Sequence, residues 1–269
     1  MPGLRSVLLA PLRHPTLFWQ FLRREILGRY RGSMFGVAWA FITPLLMLGV
    51  YTLVFVGIFR LRWPGAEQAG GMAFALRLFA GLMVFNFFSE VAGRAASFFV
   101  EQPNLVKKVA FPLALLPFIS LGSALFHFGL SLFILFVGTL FVDHQWSATL
   151  LLVPVVLLPL LPLLLGLSWL LASLGVFVRD IAPVVSLSIS LLLFLSPIFY
   201  SIESLKPEWQ FWMHMNPLTP VIENLRGAIF MGMAPDWAAW SLSMLIGCLV
   251  ALFGARVFLA LRPGFSDVL

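Results

Sequence analysis

M-F-G-V-A-W-A-F-I-T-P-L-L-M-L-G-V-Y-T-L-V-F-V-G-I-F, from Met34 to Phe59, runs for 26 residues without a charged side chain. A helix needs roughly 20 apolar residues to cross a bilayer, so this stretch reads as a transmembrane span. Pro44 inside it predicts a kink, because proline lacks the N–H that the preceding turn would bind. Outward from this run, the chain repeats the pattern. Leu78 to Ser89 is charge-free but short, so the second span must draw on its flanks, from about Ala73 to Gly93. Arg77 would then snorkel toward water, and Glu90 would face the bundle or the interface. Val109 to Val142 carries the third span, with His127 as its only titratable group. Gln145 to Val178 carries the fourth, with Pro154, Pro159 and Pro162. Ile181 to Ile202 is the fifth, bent by Pro183 and Pro197, and Trp237 to Ala255, extendable to Leu261, is the sixth.

Composition supports the same class. Of 269 residues, 61% are hydrophobic and 10% charged, whereas soluble domains are near half apolar and about a quarter charged. A water-soluble globule and a disordered chain are both excluded. Continuous apolar runs exclude a transmembrane barrel, whose strands alternate. One Cys excludes a disulfide scaffold or a multi-Cys metal site. The expected fold is an all-α polytopic membrane protein with six transmembrane helices.

Residues 1–33 read as a cytoplasmic, interfacial segment and 34–269 as the six-helix domain. The first 33 residues lack the form of a signal peptide, since arginines are scattered through them and Pro11 interrupts their short apolar stretch. Pro15 to Arg31 reads as an amphipathic helix on the membrane surface. Gln20, Arg23, Arg24 and Arg31 share one sector, and Leu17, Phe18, Phe21, Leu22 and Ile26 lie opposite. Glu25 and Arg29 fall on the apolar side, four apart in the order that favours an ion pair. Six spans put both termini on one side. With the N-terminus inside, inner segments hold twelve Lys and Arg and outer segments five, which supports an N-in, C-in topology.

No G-x-x-x-x-G-K-S/T loop is present, so energy for transport would have to come from another subunit. The four histidines are too dispersed to suggest a metal, and neither H-E-x-x-H nor G-x-S-x-G occurs. No internal repeat is visible and intramembrane charge is nearly absent, both against a secondary transporter. His127 and Cys248 read as packing residues.

Several stretches resemble the type 2 ABC permeases that export polysaccharides. These are R-R-E-I-L-G-R-Y-R-G-S-M-F-G-V-A-W-A-F-I-T-P-L (Arg23 to Leu45), E-Q-P-N-L-V-K-K-V-A-F-P-L (Glu101 to Leu113), V-F-V-R-D-I (Val176 to Ile181), N-P-L-T-P (Asn216 to Pro220) and the closing F-S-D-V-L (Phe265 to Leu269). They fall in order over the whole chain. The likeness is greatest to O-antigen exporters of lipopolysaccharide biosynthesis, with teichoic-acid and capsule exporters near behind. It implies a homodimer of permeases with two copies of a separate ABC ATPase, exporting undecaprenyl-pyrophosphate-linked glycan across the bacterial inner membrane. It implies no cofactor in this chain, Mg-ATP being bound by the partner, and no enzyme activity or nucleic-acid partner of its own.

Site expectations follow. Pro103 and Pro112 bracket a short helix within the 94–111 connection. Asn104, Leu105, Val106, Lys107 and Lys108 would couple to the ATPase; the plainer reading is that the two lysines only enforce topology. Arg23, Arg24, Arg29 and Arg31 could meet the substrate's pyrophosphate or the ATPase, or attract anionic lipid at about 1 kcal/mol each. Sugars stack on aromatic faces, so Trp39, Tyr51, Phe85, Phe87 and Phe88, with polar Asn86 and Glu90, are candidates to line the channel. The same aromatics could face lipid. Residues 201–236 would form a periplasmic gate of two short re-entrant helices joined at Asn216–Pro217, with Trp209 and Trp212 on it, or an amphipathic loop resting on headgroups. Arg179 and Asp180 would pair locally to fix a turn. A permease for drugs or lipids, a membrane-embedded transferase and an assembly protein remain the alternatives. The transferase fits worst, because acids and histidines are sparse and scattered.

Overall fold

A computed structural model describes residues 3–58, 70–103, 105, 111–141 and 147–268. Among these residues the regular structure is all helix. Short helices α1 (Leu4–Leu8) and α2 (Ala10–Arg13) precede α3 (Pro15–Tyr30). Gly32, with φ 84°, turns the chain away from α3, a backbone conformation that a Cβ would strain. A 3-10 turn then leads into α4 (Trp39–Tyr51), which contains Pro44 and widens into a π-helical stretch, Thr52–Ile58. The long helices α5 (Gly70–Ala95) and α6 (Leu115–Leu140) follow. The fourth apolar segment is broken at Pro159 into α7 (Val153–Leu157) and α8 (Leu160–Phe177). The chain continues through α9 (Ile181–Phe194), α10 (Pro207–His214), α11 (Thr219–Arg226), α12 (Trp237–Leu261) and α13 (Phe265–Val268).

Among the described residues, five helical segments are long and apolar enough to cross a membrane, so the chain is a multi-pass membrane protein. The expected fifth span differs. Its helix α9 has 14 residues, about 21 Å at 1.5 Å per residue, short of a roughly 30 Å hydrocarbon core. The chain leaves the helix before Pro197, whose ring cannot continue it. The second span is longer than expected, and it is the centre of the bundle. Of its apolar window 83% is buried inside the chain, against none of the first span's. Arg77 therefore does not snorkel: it is 7% exposed, and its guanidinium lies 5.1 Å from the centre of the Phe230 ring.

Two apolar clusters hold the bundle. One surrounds α5 and joins it to α6, α7, α8 and α11. The other closes the end where the termini meet, here called the terminal end. There Val7 and Ala10 pack with Phe99, Trp169 and Phe258. Phe265 lies 5.3 Å from Phe99 and 6.1 Å from Phe258, ring centre to ring centre, so the tail is docked. Helices α8 and α12 approach closely through small residues, as membrane helices do. A methyl group on Gly254 would overlap the carbonyl of Gly166, and one on Gly166 would overlap the backbone of Val250.

Candidate functional site

A cavity of about 250 Å³ lies between α3, α4, α5 and α6. Helix α4 contributes Trp39, Thr43, Met47 and Tyr51, spaced four apart and therefore on one stripe. Helix α5 contributes Phe79, Leu82, Met83, Asn86 and Glu90, again one face. Trp39, Tyr51, Asn86 and Glu90 are thus brought together. Phe85, Phe87 and Phe88 are not: they are buried in the core around α5. Consecutive residues on a helix point about 100° apart, so the run from Phe85 to Phe88 cannot share a face, and only Asn86 reaches the cavity.

At one end of the cavity, charge is concentrated. The Arg29 guanidinium lies 2.6 Å from Glu90 Oε1 and 3.0 Å from His127 Nδ1, and His127 Nδ1 lies 3.1 Å from Glu90 Oε1. Behind this cluster Arg94 meets Glu25 at 2.5 Å. The Glu25–Arg29 pair expected along α3 is therefore replaced by two pairs across to α5. The i,i+4 spacing recurs as Glu90 and Arg94 on α5, and facing helices satisfy both pairs at once. Tyr30 also lines the cavity, its ring 6.0 Å from that of His127. Burial pushes the Tyr30 phenol up, with Arg29 opposing and Glu90 adding to the shift, so it remains a neutral hydrogen-bond donor. The reading of His127 as a packing residue is corrected: it touches both charges of an ion pair.

The other arginines of α3 go elsewhere. Arg24 lies over the Phe21 ring at 4.7 Å, Arg31 is exposed, and Arg23 borders a separate groove with Trp19, Leu22, Ile26 and Phe126. Only Arg29 reaches the cavity. Of the coupling residues, Asn104, Val106, Lys107 and Lys108 lie outside the described residues. Leu105 packs against the cluster at the terminal end of its own chain. Arg179 and Asp180 are both exposed, and no ion pair forms between them.

At the opposite, distal end, Trp209, Trp212, Asn216 and Pro217 share one groove of about 480 Å³ with Leu192 of α9 and Leu195 just beyond it. Asn216 is the fixed point. Its amide donates to Leu195 O at 3.1 Å and Ser196 Oγ at 2.9 Å, and its Oδ1 accepts from Leu218 N at 2.9 Å. The two tryptophans stand 57% and 62% exposed. Below them sits a residue that sequence reasoning left unassigned. Arg226, 2% exposed, donates to the carbonyls of Arg77 at 3.0 Å, Pro197 at 2.5 Å and Ile198 at 2.8 Å, and to Glu223 at 3.0 Å. It ties α11 to the start of α5 and to the irregular backbone beyond α9. No local sequence signal marks it, because its partners at 77 and 197–198 are far away in the chain.

Residues 16–230 match the ABC-2 type transporter family. The chain is 28% identical over 255 residues to the "O-antigen export system permease protein RfbA" of Myxococcus xanthus, covering 93% of this chain and 94% of that protein. It is 25% identical over 253 residues to a protein of the same name from Klebsiella pneumoniae, covering 91% and 92%. With the family match spanning most of the sequence and the helical bundle multi-pass, the chain belongs to the ABC-2 type transporter family.

Proposed function

We propose that this chain is the membrane-spanning subunit of an ATP-driven exporter that moves lipid-linked polysaccharide, foremost O-antigen, across the bacterial inner membrane. The observation that carries the reading is similarity to O-antigen export permeases over nine-tenths of both chains. The cavity supports it: Trp39 and Tyr51 offer aromatic faces to sugar rings, and Asn86 and Glu90 offer hydrogen-bonding groups beside them.

Two copies of the chain work with two copies of a separate ABC ATPase, which binds Mg-ATP. The first span supports a dimer, since no residue of its apolar window is fully buried within one chain. Both termini lie in the cytoplasm, where twelve of the seventeen Lys and Arg gather. Helix α9 and the backbone following it complete a sixth crossing. Residues 1–33 form the interfacial segment, and the 94–111 connection docks on the ATPase through Asn104 to Lys108. Residues 201–236, with Trp209 and Trp212 at the groove, form the periplasmic gate.

The test is surface glycan in cells whose only copy of the gene is a variant. Trp39→Ala with Tyr51→Ala is expected to cut O-antigen display at least tenfold at unchanged membrane abundance. Leu249→Ala, on an exposed part of α12, is expected to leave display intact. Full display with the double variant, or after deletion of the gene, refutes the proposal.

A further inference from the structure

The cluster at the end of the cavity is internally frustrated. His127 Nδ1 faces a donor, Arg29, and an acceptor, Glu90, at nearly equal distances of 3.0 and 3.1 Å. A neutral imidazole carries one proton, on one nitrogen or the other. With the proton on Nε2, Nδ1 accepts from Arg29, but Nε2–H then has no partner, for that atom is buried without a hydrogen bond among the described residues. An unpaired buried donor costs about 1–3 kcal/mol. With the proton on Nδ1, the ring donates to Glu90, but its N–H then confronts the Arg29 N–H. Neither arrangement satisfies all three groups while Arg29 stays between them.

The clash of N–H against N–H is relieved if Arg29 finds another anion, and Nε2 is then left only as an unpaired acceptor. His127 Nδ1–H then donates to Glu90, and Glu90 keeps a partner without Arg29. The setting fits that anion. Arg29 lines the cavity and its side chain is 38% exposed, so it is within reach of a ligand. Its planar fork matches phosphate oxygens, and Tyr30, which lines the same cavity, keeps a neutral phenol able to donate.

We propose that the charged end of the cavity is a phosphate-binding site, in which Arg29 exchanges Glu90 for a phosphate group of the ligand while His127 takes over Glu90. Glu90 occupies the position on Arg29 that the ligand's anion would take. The inference rests on the exporter reading for its ligand, a phosphate-bearing lipid headgroup, and names the one arginine of α3 that meets it.

Binding of farnesyl diphosphate to the permease–ATPase complex in phosphatidylcholine nanodiscs tests it. Glu90→Gln removes the internal competitor and is expected to tighten binding about tenfold. Arg29→Gln is expected to weaken it at least tenfold, and Arg29→Lys to recover part of the loss. A merely structural ion pair predicts that Glu90→Gln and Arg29→Gln act in the same direction, and that result overturns the proposal. Should Arg29→Gln fail to assemble, the sign of the Glu90→Gln effect decides alone. Inorganic pyrophosphate is the second probe. Weak competition from it supports a lipid headgroup as the ligand, and equal affinity supports the same site with a free phosphate. Loss of surface glycan on gene deletion without any farnesyl diphosphate binding refutes this site and leaves the exporter reading standing. Binding with the expected signs but undiminished glycan does the reverse.

Discussion

Replacing Arg226 with Ala should unfold the distal end of the bundle. The guanidinium is 2% exposed and binds three backbone carbonyls and one carboxylate. Burial pulls its pKa down to about 10, with Glu223 opposing the shift, so it is still a cation at neutral pH. Removing it leaves the carbonyls of Arg77, Pro197 and Ile198 without this donor in a dry site. Each buried orphan costs about 1–3 kcal/mol, and breaking a buried charged pair by deleting one partner costs about 3–5 kcal/mol. These costs overlap, because relaxation at one carbonyl eases the others, so the expected loss is about 4 kcal/mol. Arg226→Lys retains the charge but offers one nitrogen where three now bond, and should lose about half as much. Glu223, with its side chain 37% exposed, can turn to water, so Glu223→Gln should cost about 1 kcal/mol at most. The assay is thermal unfolding of the purified complex followed by tryptophan emission, with gel filtration to separate aggregation from melting. The order expected is wild type, Glu223→Gln, Arg226→Lys, Arg226→Ala. An Arg226→Ala protein that melts with wild type, or a Lys variant as damaged as Ala, refutes the reasoning that the fork's several bonds carry the effect.

Two further outcomes follow from packing. Gly254→Leu forces a side chain into the Gly166 carbonyl where α8 and α12 touch, and should abolish assembly as judged by co-purification of the ATPase. Leu249→Ala, on an exposed part of α12, should leave assembly unchanged. Asn216→Ala removes the bonds to Leu195 O, Ser196 Oγ and Leu218 N and should lower stability by about 2 kcal/mol; thermal unfolding within a degree of wild type contradicts that role.

Burial of apolar residues in lipid is settled over some twenty consecutive positions, and so five of the six expected spans were legible along the chain. Met34–Phe59, the third and fourth segments and Trp237–Leu261 emerge near their expected ends. A proline's missing N–H also acts on its own turn, and the fourth segment breaks at Pro159, one of the three prolines the sequence places in it. The pairing of Asn216–Pro217 with two short helices was legible too. What residues far apart do to one another was not. Glu25 and Arg29 look like partners along a helix, yet they bond to Arg94 and Glu90 because α5 lies against them. Arg77 looks like a snorkelling residue, yet Phe230 covers it. The run Phe85–Phe88 looks uniformly available, yet the central place of α5 buries three of its four members. His127 becomes chemical only because Arg29 and Glu90 converge on it. Solvation by a bilayer depends on the neighbours in sequence and can be read along the chain. Charge pairing and the choice of an inward face depend on neighbours in space, and these exist only once the helices have docked.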